Sequence, residues 1–414
     1  MTYEDTTFRR KSGDNEDSVG YRANAASAAD YRQRRRDLES DAVDPSAESS
    51  RRPSADDANG RDRLGIHLGW EIVLLLAVAA IGYLLYRLDP ASLRRPALDT
   101  LLITGTAIGL LTLGAGLTLR AGVPNLAVGP VALAGALHYA EQGDRGLIDA
   151  AVPALGIAAA GGLLLALLVL GLHVPAWVAT LGAGMAVTVF VQLRIAPVDV
   201  QGNYDPSDQA FYLFGGFALV AVVGAALGSA APVRRVVGRM RPVADPAARR
   251  GAAAALPVIG SLVVSSVLAV AAGILIAAQS TEPIEPGTGL EWTGIAFGTA
   301  LFAGTSAFGR RGGIFGTLLA VAGVTLFLDY SARRDLDIAL FAIAAALIGA
   351  GLVVTRLVET YGRPLPVGVS EEEWTGAAAA GTTWTPDLPE TWSTSVPTQN
   401  RSDRWDDGPW GTNR

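Results

Sequence analysis

The sequence predicts an all-α polytopic membrane protein of about ten transmembrane helices, and three observations carry that prediction. Half of the 414 residues are apolar and 17% are charged. Nearly all of the charge sits in two tails and a few short loops, which leaves long uncharged runs between them. Those runs approach the roughly 20 residues a helix needs to cross the hydrocarbon core. Glycine and alanine recur along them, as in "GTAIGLLTLGAGL" and "GIAAAGGLLLALL", and small residues let helices pack closely where lipid supplies no hydrophobic drive between them. Helices rather than barrel strands follow, because strands would alternate apolar and polar positions.

Taken in order, residues 1–66 are polar, mix both signs of charge ("YRQRRRDLESDAVDPSAESSRRPSADD") and lack sustained apolar periodicity. They read as a disordered cytoplasmic tail. No apolar run lies near Met1, so this stretch is not expected to be a cleavable signal sequence. A transmembrane region follows over 67–356, with apolar runs at 68–86, 98–119, 124–140, 151–172, 174–193, 211–229, 252–278, 292–308, 313–328 and 336–354. Residues 357–414 are again polar, rich in Thr, Pro and Gly, with Trp374, Trp384, Trp392, Trp405 and Trp410. This end reads as a second disordered cytoplasmic tail, or as one carrying a short linear motif for a partner or the membrane interface.

Orientation follows from arginine. The loop "PVRRVVGRMRPVADPAARRG" carries Arg234, Arg235, Arg239, Arg241, Arg249 and Arg250 against Asp245 alone, which marks it as cytoplasmic. Counting runs from there puts both termini in the cytoplasm of a bacterial cell, with the chain in the plasma membrane. The acid-rich loops "EQGDRGLIDA", "RIAPVDVQGNYDPSDQ" and "QSTEPIEPGTGLE" then face outward. One loop conflicts with this count: "RLDPASLRRP", with Arg87, Arg94 and Arg95, would also lie outside. Either the first run is not a span or its topology is overridden by the rest of the bundle.

Several chemistries are excluded or unsupported. There is no cysteine, hence no disulfide or thiolate site. The one lysine, Lys11, has no G-x-x-x-x-G-K-[ST] around it, so ATP is not hydrolysed here through a P-loop. The chain is not expected to be an enzyme, to bind a metal or cofactor of its own, or to bind nucleic acid. The runs hold almost no ionisable groups: Glu71 and Asp99 fall near predicted ends and His138 near an outer end. An ion-coupled carrier therefore has no visible coupling site, and no charged ring or filter marks a channel.

The third run begins with an interruption. In "RAGVPNLAVGPVALAGAL" two prolines and several glycines break an apolar stretch around Asn125. Irregular backbone at membrane depth is tolerated only inside protein or beside a watery path. The segment is either a broken or re-entrant helix, or an ordinary short loop with Asn125 as its cap.

Three segments resemble one family. "AGVPNLAVGPVALAGAL" resembles the G-x-x-[DN]-L-[SA]-V-G element of bacterial ABC-transporter permeases for ribose, xylose and other simple sugars, whose relatives carry nucleosides. "VPAWVATLGAGMAV" is similar to that family's V-P-x-F-I-A-T-L-G element. "GTALFAGTSAFGRRGGIFGTLLAVAG" resembles its G-G-T-S-x-x-G-G-x-G-x-x-x-G-T-x-x-G signature. "ADPAARRG" is a degraded likeness of its N-x-x-A-A-R-x-S-G loop. The matches keep the family's order over residues 122–354. Asn125 stands where sugar permeases usually carry aspartate, Ala127 replaces a common serine, and Gly309-Arg310-Arg311-Gly312 breaks the usual Gly-Gly pair.

The resemblance implies a permease subunit of a binding-protein-dependent importer that moves a sugar or related small polar solute. It implies a second permease copy or paralogue, cytoplasmic ABC ATPase subunits that use ATP and Mg, and an extracytoplasmic solute-binding protein, all within membrane lipid. The ATPase would engage Arg239, Arg241, Asp245, Arg249 and Arg250, unless those residues serve only orientation. Candidate pathway residues are Asn125, Thr180 and Gln192, with Trp177 for stacking. The signature turn, Gly304, Thr305, Ser306, Gly309, Arg310, Arg311, Gly312 and Gly313, is expected as a compact cytoplasmic reversal between two helices. A non-transporting scaffold derived from such a permease is the alternative, and an ion-coupled carrier a third reading.

Overall fold

A computed structural model describes residues 64–229, 252–307 and 313–362. Among them lie ten α-helices: α1 Leu64–Leu88, α2 Ala97–Arg120, α3 Val128–Gln142, α4 Leu147–Gly171, α5 Ala176–Val191, α6 Ala210–Ser229, α7 Ala252–Gln279, α8 Leu290–Phe302, α9 Gly316–Arg333 and α10 Leu340–Gly362. Two short 3-10 turns, Gly143–Arg145 and Pro206–Gln209, complete the regular structure apart from one isolated bridge, Val198 with Ile284. Each apolar run of the sequence contains one helix. The last helix continues to Gly362, six residues into the stretch assigned to the C-terminal tail, because Val358 still packs inward. The two tails, apart from these helix ends, and the arginine-rich loop lie outside the described residues.

Six helices are long and apolar enough to cross a membrane, in α1, α2, α4, α6, α7 and α10. Their outward sides carry large apolar residues such as Leu76, Ile157, Leu219 and Val353, the arrangement of a protein embedded in lipid. The expectation of about ten crossings is thereby reduced to six helices of sufficient length and hydropathy. The remaining four are α3, α5, α8 and α9, of 15, 16, 13 and 18 residues. At 1.5 Å per residue α3 and α8 rise only about 20 Å, short of a hydrocarbon core of about 30 Å.

The short helices have a reason in the packing pattern. Helices α2 to α5 and α7 to α10 form two sets with matching neighbours: α3 packs on α7 as α8 packs on α2, and α4 packs on α7 as α9 packs on α2. Likewise α3 meets α5 as α8 meets α10, while α2 meets α7 and α3 meets α8 across the centre. The Gln279 amide at the end of α7 donates to the Thr100 carbonyl and accepts from the Thr104 N–H, early in α2, so these two central helices are antiparallel. The two sets thus share most of their neighbour pattern, with their first helices antiparallel, as the halves of an inverted repeat do. Helices α1 and α6 stand outside it, against α9 and α2 respectively.

The loop with Arg87, Arg94 and Arg95 finds partners at its own end of the bundle. Arg95 pairs with Asp99 at 3.3 Å and stacks 4.8 Å from the Phe211 ring. Arg87 donates to the Tyr83 hydroxyl at 3.2 Å. Asp89 in turn accepts from Arg333, which also pairs with Asp329. The first apolar run does form a long helix, and of the three arginines in its loop Arg95 is the one that pairs with an acid, Asp99, among the described residues.

Candidate functional site

Two interruptions define the centre. After α2 the chain turns at Gly122, whose φ of 70° lies in the left-handed region. Its N–H donates to Leu119, and Val123 donates to Thr118, the paired bonds that close a helix end with glycine. The backbone then doubles back, and Asn125 reaches the middle of the 28-residue helix α7. Its Nδ2 donates to Ser265 Oγ at 2.9 Å and to Ser266 Oγ at 3.4 Å. Both serines donate onward to the Leu262 carbonyl. Asn125 Oδ1 accepts from the Ala127 N–H at 3.2 Å. Thus α3 starts level with the middle of α7, and Asn125 supports its entry. The N-cap position of α3 is held by Ala127 rather than Asn125.

Thr180 closes the same break from the other side. It is buried, and its hydroxyl reaches the carbonyls of Pro124 at 3.0 Å and Ala176 at 2.9 Å. Asn125 and Thr180 therefore meet across the 121–127 segment, but their polar groups are spent on protein. Trp177 is 55% exposed on the outward side of α5, and Gln192 is an exposed residue capping the far end of that helix. The structure does not gather the four predicted pathway residues into one site.

The second interruption lies between α7 and α8. Residues 280–289 turn back into the bundle, where Gly289, with φ of 71°, immediately precedes α8. The first turns of α3 and α8 meet there. Gly129 N–H donates to Thr293 Oγ1 at 3.0 Å, and that hydroxyl donates to the Leu126 carbonyl at 3.2 Å. A Cβ on Gly129 would strike the Gly289 carbonyl oxygen, and one on Gly289 would strike Gly129 in return. Two helix N-termini face each other with only glycine between them; Thr293 Oγ1 accepts from Gly129 in the first turn of α3, and Thr288 Oγ1 accepts from Leu290 at the start of α8.

Beside this junction is a cavity of about 110 Å³ lined by Thr104, Ala107, Ile108, Ile276, Gln279 and Trp292. Ala107 and Ile108 are fully buried, while Thr104, Gln279 and Trp292 are half-buried and bring polar and aromatic groups to it. None of the lining residues was singled out from sequence. Trp292 sits two residues past Leu290 in an unremarkable apolar run, and Gln279 ends a long helix, so only their convergence in space marks them.

The loops over that end are pinned together. Glu141 at the end of α3 takes a bidentate bond from Arg194, with Nη2 to Oε2 at 2.9 Å. This bond holds the Glu141 carboxyl below its ordinary range, against a smaller opposing effect of burial. Val198 exchanges both backbone hydrogen bonds with Ile284, and Gln201 donates to Ala140. Asp205, exposed, accepts from Ser207 and is likewise held low by that bond.

At the opposite end lies the signature turn. Helix α8 closes through Gly304, φ 90°, with Gly304 N–H to Leu301 and Thr305 N–H to Ala300. Thr305 and Ser306 are buried, and Gly313 lies against Glu71. Gly309, Arg310, Arg311 and Gly312 lie outside the described residues, as do Arg239, Arg241, Asp245, Arg249 and Arg250. The sequence reading missed what holds the turn. Trp70 Nε1 donates to the Phe302 carbonyl at 2.9 Å, capping the end of α8. Glu71 Oε1 accepts from the N–H groups of Phe315 at 2.6 Å and Gly316 at 3.1 Å, capping the start of α9. The first helix is thus an integral clamp on the turn.

No family profile, curated protein or solved structure matches the chain.

Proposed function

We propose that the chain is the permease subunit of a binding-protein-dependent ABC importer, carrying a sugar or related small polar solute across the bacterial plasma membrane. The observation that carries this reading is the meeting of two short helices, α3 and α8, by their first turns within an inverted repeat. Broken helices arranged this way frame solute paths in transporters. The ordered family-like segments point the same way, since two of them, at 121–137 and 298–323, contribute the first break and the turn between α8 and α9.

In this reading the remaining short helices complete about ten membrane passes, both tails are cytoplasmic, and a second permease copy or paralogue completes the pathway. Separate ATPase subunits dock on the arginine-rich loop around Arg249 and Arg250, and an extracytoplasmic binding protein delivers solute to the opposite face. Energy enters from the partner, which accounts for a bundle centre built from Asn, Ser, Thr and Gly rather than from a carboxylate relay.

The test is to purify the full chain from its native membrane and identify what accompanies it. Recovery of an ATPase with Walker motifs, reduced by replacing Arg249 and Arg250 with alanine, is the expected result. An intact complex that never contains an ATPase would sink the proposal. The second reading, a scaffold that does not transport, is favoured by the complete satisfaction of Asn125 and Thr180 by protein partners. It predicts recovery of partners without ATP-dependent uptake of any solute in reconstituted vesicles.

A further inference from the structure

The loop between α1 and α2, with Arg87, Arg94 and Arg95, keeps a positive charge that the fold does not neutralise. We propose that Arg87 and Arg94 form a binding site for the phosphate of an anionic phospholipid, in the leaflet at this end of the bundle. Such a site requires only that the bundle lies in a bilayer, whether or not the chain carries a solute.

The acids nearby are spent on other cations. Asp89 accepts from Arg333 on α9 and from the Ala91 N–H at 2.9 Å, and Asp99 pairs with Arg95. Arg87 and Arg94 are both exposed, and among the described residues no acid pairs with either. Arg87 donates to the Tyr83 hydroxyl at 3.2 Å, a neutral partner that leaves most of its five N–H donors open. The bonds that divert Asp89 also fix the loop. Arg333 ties it to α9, and the buried Ser92 donates to the Asp89 carbonyl at 2.7 Å. A loop already ordered loses less freedom when a ligand binds.

The surroundings select a lipid phosphate. Tyr83, Leu84 and Tyr86 in the last turns of α1, and Leu93 in the loop, are exposed beyond the apolar outward side of that helix. Phe211 and Tyr212, exposed at the start of α6, stand at the same end, where Arg95 lies over the Phe211 ring. Tyrosine and arginine at the end of a lipid-facing helix mark headgroup depth. There a guanidinium meets a phosphate through two parallel N–H···O bonds, and each arginine adds attraction for an anionic lipid. An acidic protein fits this end poorly. Its other loops expose Asp199, Asp205, Asp208, Glu282 and Glu285, which repel such a partner arriving from water, whereas a lipid approaches along the outward side of α1.

The experiment uses the full chain in a neutral detergent, with bound lipid counted by native mass spectrometry as phosphatidylglycerol, phosphatidylcholine, diacylglycerol or glycerol phosphate is added. Saturable retention of phosphatidylglycerol is expected, with phosphatidylcholine held about tenfold more weakly and diacylglycerol not retained. Arg87→Gln and Arg94→Gln should each weaken phosphatidylglycerol about fivefold, and the double variant about 25-fold. Arg94→Lys, which keeps the charge and loses the fork, should fall between Arg94→Gln and the native chain. Arg145→Gln, an equal loss of charge at an exposed turn of the same end, should change nothing, and thermal unfolding of each variant separates loss of binding from loss of fold. Equal retention of phosphatidylcholine, or an equal loss in Arg145→Gln, would overturn the site. Displacement of the lipid by millimolar glycerol phosphate would give the arginines to a free phosphate and overturn the lipid assignment. Loss of a copurifying acidic protein from the double variant, with phosphatidylglycerol retention intact, would overturn it in favour of a protein partner.

Discussion

The two breaks at the centre of the bundle occupy equivalent places in an inverted repeat, and they are closed by different means. The first, at 121–127, is sealed by side chains: Asn125, Ser265, Ser266 and Thr180 satisfy one another and the backbone. The second, at 280–289, is held by backbone, through the Val198–Ile284 bridge and the glycine at 289, and leaves a cavity beside Trp292. A polar side chain buried with all partners met is rigid and costly to disturb. A backbone-pinned loop over a small void is easier to move. The difference teaches that the first break is filled by buried side chains, whereas the second keeps a cavity beneath loops tied by backbone bonds.

That contrast can be broken most severely where the two breaks touch. Gly129→Val puts branched carbon into the Gly289 carbonyl and should cost about 3 kcal/mol, read as loss of monodisperse protein or a large drop in melting temperature in detergent. Next comes the sealed side. Asn125→Leu strands the Ala127 N–H and removes the donor to two serines, which should cost about 2 kcal/mol by thermal unfolding. The equivalent change at the open side, Gln279→Leu, loses an amide that donates to the Thr100 carbonyl at 3.2 Å and accepts from the Thr104 N–H at 3.3 Å, both long bonds of a half-buried group, and should cost about 1 kcal/mol. Equal costs at Asn125 and Gln279 would erase the distinction between the two breaks.

The smallest expected effect is one of pH. The folded Glu141 carboxyl titrates below its ordinary value because Arg194 bonds to it. Its contribution is therefore complete above about pH 4.3, the ordinary glutamate value, and is lost as pH falls through the lower folded value. With both partners partly exposed it amounts to a few tenths of a kcal/mol. Hydrogen-exchange protection of Val198 and Ile284 should fall over that acid window while protection of Ala127 and Gly129 holds, because Asn, Ser and Thr do not titrate there. Parallel loss in both regions would show that the breaks are not independent.

Much of the helical framework was legible in the sequence, since each of ten nearly uncharged runs overlaps one helix and the Pro-Gly interruption after Arg120 is where α2 ends. Length in residues did not reveal which of them pass through lipid. Runs such as 292–308 join a short helix to part of an irregular turn, and apolarity alone does not separate the two. Asn125 and Thr180 were found because polar residues in apolar runs are conspicuous, and their roles turned out to be structural bonds. Trp292, Gln279 and Thr104 were missed for the opposite reason: each is ordinary in its own helix, and only antiparallel packing of α2 on α7 brings them together. Glu71 lay near a predicted helix end, a position that draws no notice until a partner 244 residues away is seen.

That separation has a consequence in time. During synthesis α1 emerges first, yet the backbone groups that Trp70 and Glu71 cap belong to Phe302, Phe315 and Gly316, which follow 232 to 245 residues later. At about 5–20 residues per second the ribosome needs on the order of ten seconds or more to make them. Throughout that interval the Glu71 carboxylate and the Trp70 indole wait without these partners at the rim of the membrane, and α1 cannot take its final seat. The first of the described helices to be made is therefore among the last to be locked, and closure of the α8–α9 turn waits until at least eight of the ten described helices have been made.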